Sequence, residues 1–342
     1  MKLRDKTPPP IKISFIQTQE TELKSLLSYT DRVQNRFYLT SQYYVLPYVV
    51  PGHKRAIHFP ELKIYESKDF WKLCPYYDFE YMKRFPQKYQ RLLKQFSSSY
   101  IPFKFNKIEK EFRSVFPTFY KSLSDISPNI FQDIKEVIIM PTRFGSVCSE
   151  YSSQNKNKNI IKLFARKDAT IVEIFYMILM ERLNKTRHYT EYSWNERMAI
   201  CEYMMLNTKL NKLFPKFQPT IPDLQNPIEL KMWKESITYQ AKLGINVGEA
   251  IIKNKNDIYI NGKIAIFTPI EKRVLIKLVD NKKKIVPFDQ IANAMWGEDA
   301  NEKYSLYAIS KCIERIRLKM IDHNIAPQII QTYRSQGYRL VD

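Results

Sequence analysis

The sequence predicts an α+β protein: a helix-rich N-terminal domain with a small sheet, then a separate C-terminal domain over residues 244–342. Three observations carry this. Residues 251–341 alternate between β-type runs with turn dipeptides and three stretches of helical periodicity. Pro215, Pro219, Pro222 and Pro227 interrupt the chain just before that region, so 212–226 reads as a connector, followed by a linking helix at Leu230 to Lys242. Upstream, long aromatic and amphipathic stretches point to helices around two β-rich runs.

The C-terminal elements follow in order. Ile251 to Phe267 alternates around Asn261-Gly262, a hairpin signature. Thr268 is a good N-cap, Pro269 suits the first helical position, and Glu271 stands three residues after the cap to bond back to it. Val274, Leu275 and Leu278 form the inward stripe of that first helix, and Asp280 to Lys284 is a charged break. A second helix runs from Phe288 to Met295, burying Ile291, Ala292 and Met295, with Gly297 placed to stop it. The third, from about Tyr304 to Met320, buries Ile309, Ile313, Ile316 and Met320, with Cys312 at the edge. Its other side shows Tyr307, Ser310, Lys311, Glu314 and Arg315, flanked by Arg317 and Lys319. Ile329 to Tyr333 and Tyr338 to Val341 then flank Arg334 to Gly337 as a closing hairpin.

Four short runs make this segment resemble the winged helix-turn-helix effector domain of the OmpR/PhoB type. They are Thr268-Pro-Ile-Glu271, Met295-Trp296-Gly297, Arg315-Ile-Arg-Leu-Lys-Met320 and Gln336-Gly-Tyr-Arg-Leu340, in the family's order and over a little under a third of the chain. The resemblance implies double-stranded DNA as partner, with the third helix in the major groove, where base edges are distinguishable. Ser310, Lys311, Glu314 and Arg315 are then the candidates for base or nearby phosphate contact, with Tyr307, Arg317 and Lys319 beside them. Trp296 matches a position that packs on the sugar-phosphate backbone, Arg334 and Arg339 lie on the wing, and Tyr338 belongs to the wing core. Pro287 stands where the family usually has Ser or Thr, which removes one phosphate contact but leaves the fold intact. Self-association on tandem sites is a further implication of the likeness.

Charge fits a polyanionic partner. Fifty-five Lys and Arg against thirty-five Asp and Glu give +20. Only +5 of it lies from Gly244 onward (16 basic, 11 acidic), so +15 lies on residues 1–243. There the excess is either a second nucleic-acid surface or a Lys-rich solvated one. Cys74, Cys148, Cys201 and Cys312 are scattered without a Cys-x-x-Cys pair, which speaks against a zinc site or disulfide framework. A charged start, Lys2 to Lys6, followed by three prolines, does not read as a secretory signal, and no apolar run approaches membrane length. The expectation is a cytoplasmic protein with no membrane partner, which excludes the membrane-anchored relatives of this DNA-binding family.

The N-terminal two thirds does not read as a phosphoacceptor receiver. Ile11 to Ile16 is a strand, but Gln17-Thr18-Gln19 follows where carboxylates would stand. Helices are expected at Glu20 to Tyr48, Phe70 to Phe85, Lys88 to Phe96 and Asn106 to Ile126. Strands follow at Glu136 to Pro141 and Asn159 to Ala165, then helices at Ala169 to Leu183 and Ser193 to Leu206. The first of these last two is apolar nearly all round and so buried, with Glu173 requiring a partner such as Arg182 or Arg197. This strand-helix-helix order over 136–206 resembles the core of zincin peptidases, but Val172 and Tyr176 occupy the two histidine positions around Glu173. That implies a metal-less, inactive relative; an ordinary buried helix is the alternative. His53 to His58 reads as a solvated basic turn, and no Gly-rich phosphate loop exists.

The division expected is residues 1–215, a connector with linking helix at 216–243, and the DNA-binding domain at 244–342. The function expected is a sequence-specific transcriptional regulator, not an enzyme, needing no cofactor or metal. A ligand or protein would act on its N-terminal domain. Alternatives are a weakly specific architectural DNA binder and a peptidase-derived enzyme.

Overall fold

The computed structural model describes residues 11–74, 85–127, 130–131, 133–150, 159–184, 194–219, 226–254, 257–261, 263–323 and 325–342. The chain separates into two compact units: Met1–Thr30 with Leu46–Pro222, and Asp31–Val45 with Asp223–Asp342.

The first unit is built on a four-stranded sheet. Its strands are β1 (Lys12–Phe15), β2 (Glu136–Thr142), β3 (Cys148–Glu150) and β4 (Ile160–Arg166), in spatial order β1-β2-β4-β3. β1 and β4 both run parallel to β2, while β3 is an antiparallel edge on β4. The longer helices around it are α1 (Gln19–Gln34), α2 (Asn106–Ile126), α3 (Ile171–Asn184) and α4 (Trp194–Asn207), of which α3 packs directly on the sheet. The all-round apolar character of α3 is explained by its position, because it packs on β3 and β4 and also on α2 and α4. Phe175 stacks on Phe112 at 4.6 Å and meets Phe119 at 4.4 Å, so α2 is held by an aromatic seam. Gly145, at φ +85°, lies against the Tyr29 ring: a Cβ there would sit 1.8 Å from it, while the Tyr29 hydroxyl bonds Ser149 at 2.6 Å.

Several expectations for this unit need correction. Glu173 is not a buried charge seeking an arginine. It is half-buried in the first turn of α3, where it accepts from Thr170 N at 2.9 Å and from the Thr170 hydroxyl, closing a helix cap. Arg182, fourteen-residue α3's basic end, is tied instead to Asp133 at 2.6 Å and to the Ile130 carbonyl. His53 to His58 is not a solvated turn either. Arg55 and Ile57 are buried, Ala56–His58 is a strand, and His58 exchanges backbone hydrogen bonds with Gly145. The helix expected to reach Tyr48 stops at Gln34, since Arg36 turns left-handed at φ 64° and Tyr44–Leu46 is extended. The second half of the helix expected at Phe70 to Phe85 falls largely outside the described residues; the part described is Lys68–Leu73.

The second unit gathers Asp31–Val45 and the linking helix α5 (Pro227–Lys242) with the C-terminal domain. Asn226 caps α5 by accepting from Ile228 N, Ser236 Oγ accepts from Val45 N at 2.8 Å, and Tyr44 donates to Glu229 at 2.6 Å. Then come β5 (Ile251–Asn254), β6 (Asp257–Ile260) and β7 (Lys263–Ile264), an antiparallel sheet with Asn261 left-handed at its turn. Next are α6 (Pro269–Asp280), β8 (Ile285–Pro287), α7 (Phe288–Trp296), a short helix at Ala300–Lys303, and α8 (Leu306–Asp322). The hairpin β9 (Ile330–Tyr333) and β10 (Gly337–Leu340) closes the domain. Strand β8 was not expected: it pairs with β10, making a three-stranded sheet of the hairpin. Gly337 allows this, because a Cβ there would lie 2.0 Å from the Val286 carbonyl oxygen. Asp342 anchors the unit, its buried carboxylate accepting from Ala250 N and Ile251 N at 2.8 and 2.7 Å and pairing with Arg36 at 3.2 Å.

Candidate nucleic-acid interface

The three helices pack as expected from their stripes. Ile291, Ala292 and Met295 of α7 share one core with Val274, Leu275 and Leu278 of α6 and with Ile309, Ile313, Ile316 and Met320 of α8. At α6 the reciprocal cap forms, with Thr268 N donating to Glu271 Oε2 at 2.9 Å and Glu271 N donating to Thr268 Oγ1 at 3.4 Å. Gly297, at φ 63°, ends α7, while α8 begins at Leu306 rather than Tyr304 because Ser305 caps it through Ala308 N.

This packing leaves one side of α8 open. Tyr307, Ser310, Lys311, Glu314 and Arg315 are all exposed, as expected from the periodicity. Lys311 Nζ meets Glu314 Oε2 at 2.6 Å, which raises the lysine and lowers the carboxylate from their ordinary pKa values. Ser310 Oγ lies 3.2 Å from the Tyr338 hydroxyl, linking α8 to the wing. Arg315 projects outward, touching Glu271 only at 3.6 Å. At the wing turn Arg334 is exposed, and Trp296 is half-buried at the end of α7 with its indole against the domain core.

Three of the predicted site residues have their donors turned to the domain itself. Arg317 donates to the Ile330 carbonyl at 2.5 Å and to Thr332 Oγ1 at 3.0 Å beside the Tyr338 ring; burial lowers its pKa. Lys319 Nζ binds Glu271 Oε2 at 2.7 Å and lies 5.2 Å over the Phe267 ring. Arg339 donates to Gln331 Oε1 at 2.8 Å and stacks over Tyr333. Arg317 thus ties α8 to the wing, Lys319 ties α8 to α6, and Arg339 braces the wing internally. Glu271 is central to this. Burial opposes its charge, but the bonds from Lys319 and Thr268 outweigh that and hold its carboxyl below the usual range.

Sequence reasoning missed Arg273, which donates to the carbonyls of Ala294 and Met295 at 2.9 and 2.6 Å and so ties the end of α7 to α6. Its partners are backbone groups, which leave no pattern in side-chain order. Among the described residues no group of three or more His, Cys, Asp or Glu could hold a metal ion, and all four cysteines are buried thiols. No described helix is long and apolar enough to cross a membrane.

Comparison with known proteins meets this geometry at the same place. Residues 262–340 match the family profile "Transcriptional regulatory protein, C terminal". The regulatory protein VanR of Enterococcus faecium is 30% identical over 111 residues, 32% of this chain and 45% of that protein. The transcriptional regulatory protein AfsQ1 of Streptomyces coelicolor is 31% identical over 80 residues, 23% of this chain and 35% of that protein. The chain thus spans less than half the length of these two relatives. Among solved structures, the response regulator DrrB, an OmpR/PhoB homologue of Thermotoga maritima, aligns over 67% of this chain and 95% of its own at 15% identity and a TM-score of 0.23. That score assigns no fold to the N-terminal unit. The fold is mixed helix and sheet, with an OmpR/PhoB-type DNA-binding domain at its C-terminal end.

Proposed function

We propose that the whole chain is a sequence-specific transcriptional regulator of double-stranded DNA, reading the major groove with α8 and reaching the minor groove with the wing. The observation that carries this is the open face of α8, where Ser310, Lys311, Glu314 and Arg315 stand exposed on a helix whose other side is fully packed. Tyr307, Trp296 and Arg334 flank that face, while Arg317, Lys319 and Arg339 support it from behind. Arginine offers a bidentate pair to guanine and glutamate accepts from a cytosine amino group, so the face supplies readout as well as charge.

Control passes through something other than aspartyl phosphate. Supporting this, Gln17-Thr18-Gln19 follows β1, where a receiver has its acidic pair, and β3 runs antiparallel. The N-terminal unit then senses a ligand or protein, or mediates self-association on tandem sites, without hydrolytic activity. Glu173 at a helix cap, flanked by Val172 and Tyr176, suits a structural role in place of a peptidase one. The protein works in the cytoplasm, where its DNA is.

The +15 carried on residues 1–243 favours one other reading, an architectural binder using both halves. Competition binding decides between them. A duplex selected by the protein should outcompete a scrambled one by about 10³-fold or more near physiological salt. Equal competition with a steep salt dependence would overturn sequence-specific regulation.

A further inference from the structure

The recognition face of α8 is not purely polar. At 3.6 residues per turn, Tyr307, Lys311 and Leu318 project within about 40° of one another, directly opposite the buried stripe Ile309, Ile313, Ile316 and Met320. On this midline Tyr307 is 73% and Leu318 56% exposed. The helix does not lack a core to bury apolar groups in, since all four residues of the opposite stripe are fully buried. Two apolar side chains therefore bracket the charged centre formed by Lys311, Glu314 and Arg315, with the Lys311 ammonium 5.9 Å from the Tyr307 ring. Whatever receives those charges meets an apolar contact on either side of them. In the major groove a base pair presents one apolar group, the C5-methyl of thymine.

We infer that Tyr307 and Leu318 read thymine methyl groups, so that the protein's sites carry two T·A pairs bracketing the base pairs addressed by Lys311 and Arg315. This rests on the DNA-reading function proposed above. Eleven residues of helix span about 16 Å, so with α8 lying along the oblique groove the two contacts fall a few base pairs apart. The spacing of the thymines is thus set by the helix, and the specificity at those positions is for the methyl group itself.

The test uses two randomised duplex libraries, one made with thymine and one with deoxyuridine in its place, which lacks only that methyl. The full-length protein is used for selection from each, beside a Tyr307→Ala/Leu318→Ala variant; both positions are exposed, and melting curves check that the variant folds. Burial of one methyl is worth roughly a factor of four in affinity, so two predict a loss of roughly fifteen-fold. The expected result is a motif with two thymines a few pairs apart in the first library, bound that much more weakly as its uracil version by the wild type but equally by the variant. A motif enriched equally from both libraries would overturn the inference while leaving the regulator reading intact. Thymine preference persisting in the variant would overturn it as well, and would assign these side chains to another partner. No motif from either library would refute the DNA-reading function, and this inference with it.

Discussion

Replacing Glu271 by Gln separates the charge of this side chain from its capping geometry. Gln still accepts from Thr268 N, so the helix cap survives. What is lost is the charged partner of Lys319 at 2.7 Å and of Arg315 at 3.6 Å. A hydrogen bond between charged groups is worth about 1 kcal/mol more than a neutral one. The Arg315 contact is long and that side chain is 62% exposed, so it adds no more than about 0.5 kcal/mol. The expected cost is about 1–1.5 kcal/mol for Glu271→Gln, and about 1 kcal/mol more for Glu271→Ala, which also loses the cap. Hydrogen exchange of amides in α6 and α8 measures this within the domain, as a fall in protection of about five- to twelve-fold for Gln. The effect depends on pH. Because the folded-state pKa of Glu271 lies below its unfolded value, its contribution is present above the ordinary carboxylate range of about 4.3 and is lost as pH falls through the folded value. Wild type and Gln variant therefore converge in acid. Unchanged protection in the Gln variant at pH 7, or a loss as large as in the Ala variant, would refute the assignment of charge and cap to separate tasks.

Other sites yield sharper structural tests. Asp342→Ala strands two backbone donors and the buried Arg36, and should cost about 3–5 kcal/mol by urea unfolding, while Asp342→Asn/Arg36→Gln should recover part of that. Gly337→Ala forces β10 away from β8 and should destabilise by about 1–3 kcal/mol, with exchange of the Val286 and Tyr338 amides rising first. Phe175→Ala opens the aromatic seam between α2 and α3 and should cost about 3–5 kcal/mol, seen as lost protection along both helices.

The C-terminal domain was legible because its signals are local. Thr268 and Glu271 write their cap three residues apart, Gly297 stops α7, and the stripe of α8 repeats at helical period. Helix α2 was equally plain, since four buried residues recur along it from Phe112 to Leu123. Strand β8 escaped because it is three residues long and buries only Val286, too little for any periodicity. Its existence is encoded across the chain, in Gly337. Glu173 misled for a related reason: an apolar run shows that a helix is buried, yet a first-turn carboxylate can bend back to its own cap. Ile57 is buried in the strand Ala56–His58 and Arg55 just before it, and His58 bridges to Gly145 far along the chain, which a basic hexapeptide does not announce. In the site, exposure followed the periodicity of α8. The inward turn of Arg317, Lys319 and Arg339 did not, because their partners lie on β9 and α6.

Sequence reading through α8 is tested most directly by selecting genomic fragments with the purified protein near physiological salt, beside Lys311→Ala/Arg315→Ala. Both side chains are exposed, and the second contributes little to packing. The account predicts one recurrent motif with the wild type and its disappearance with the double variant. Fragments retained without a motif, and equally by both proteins, would contradict it.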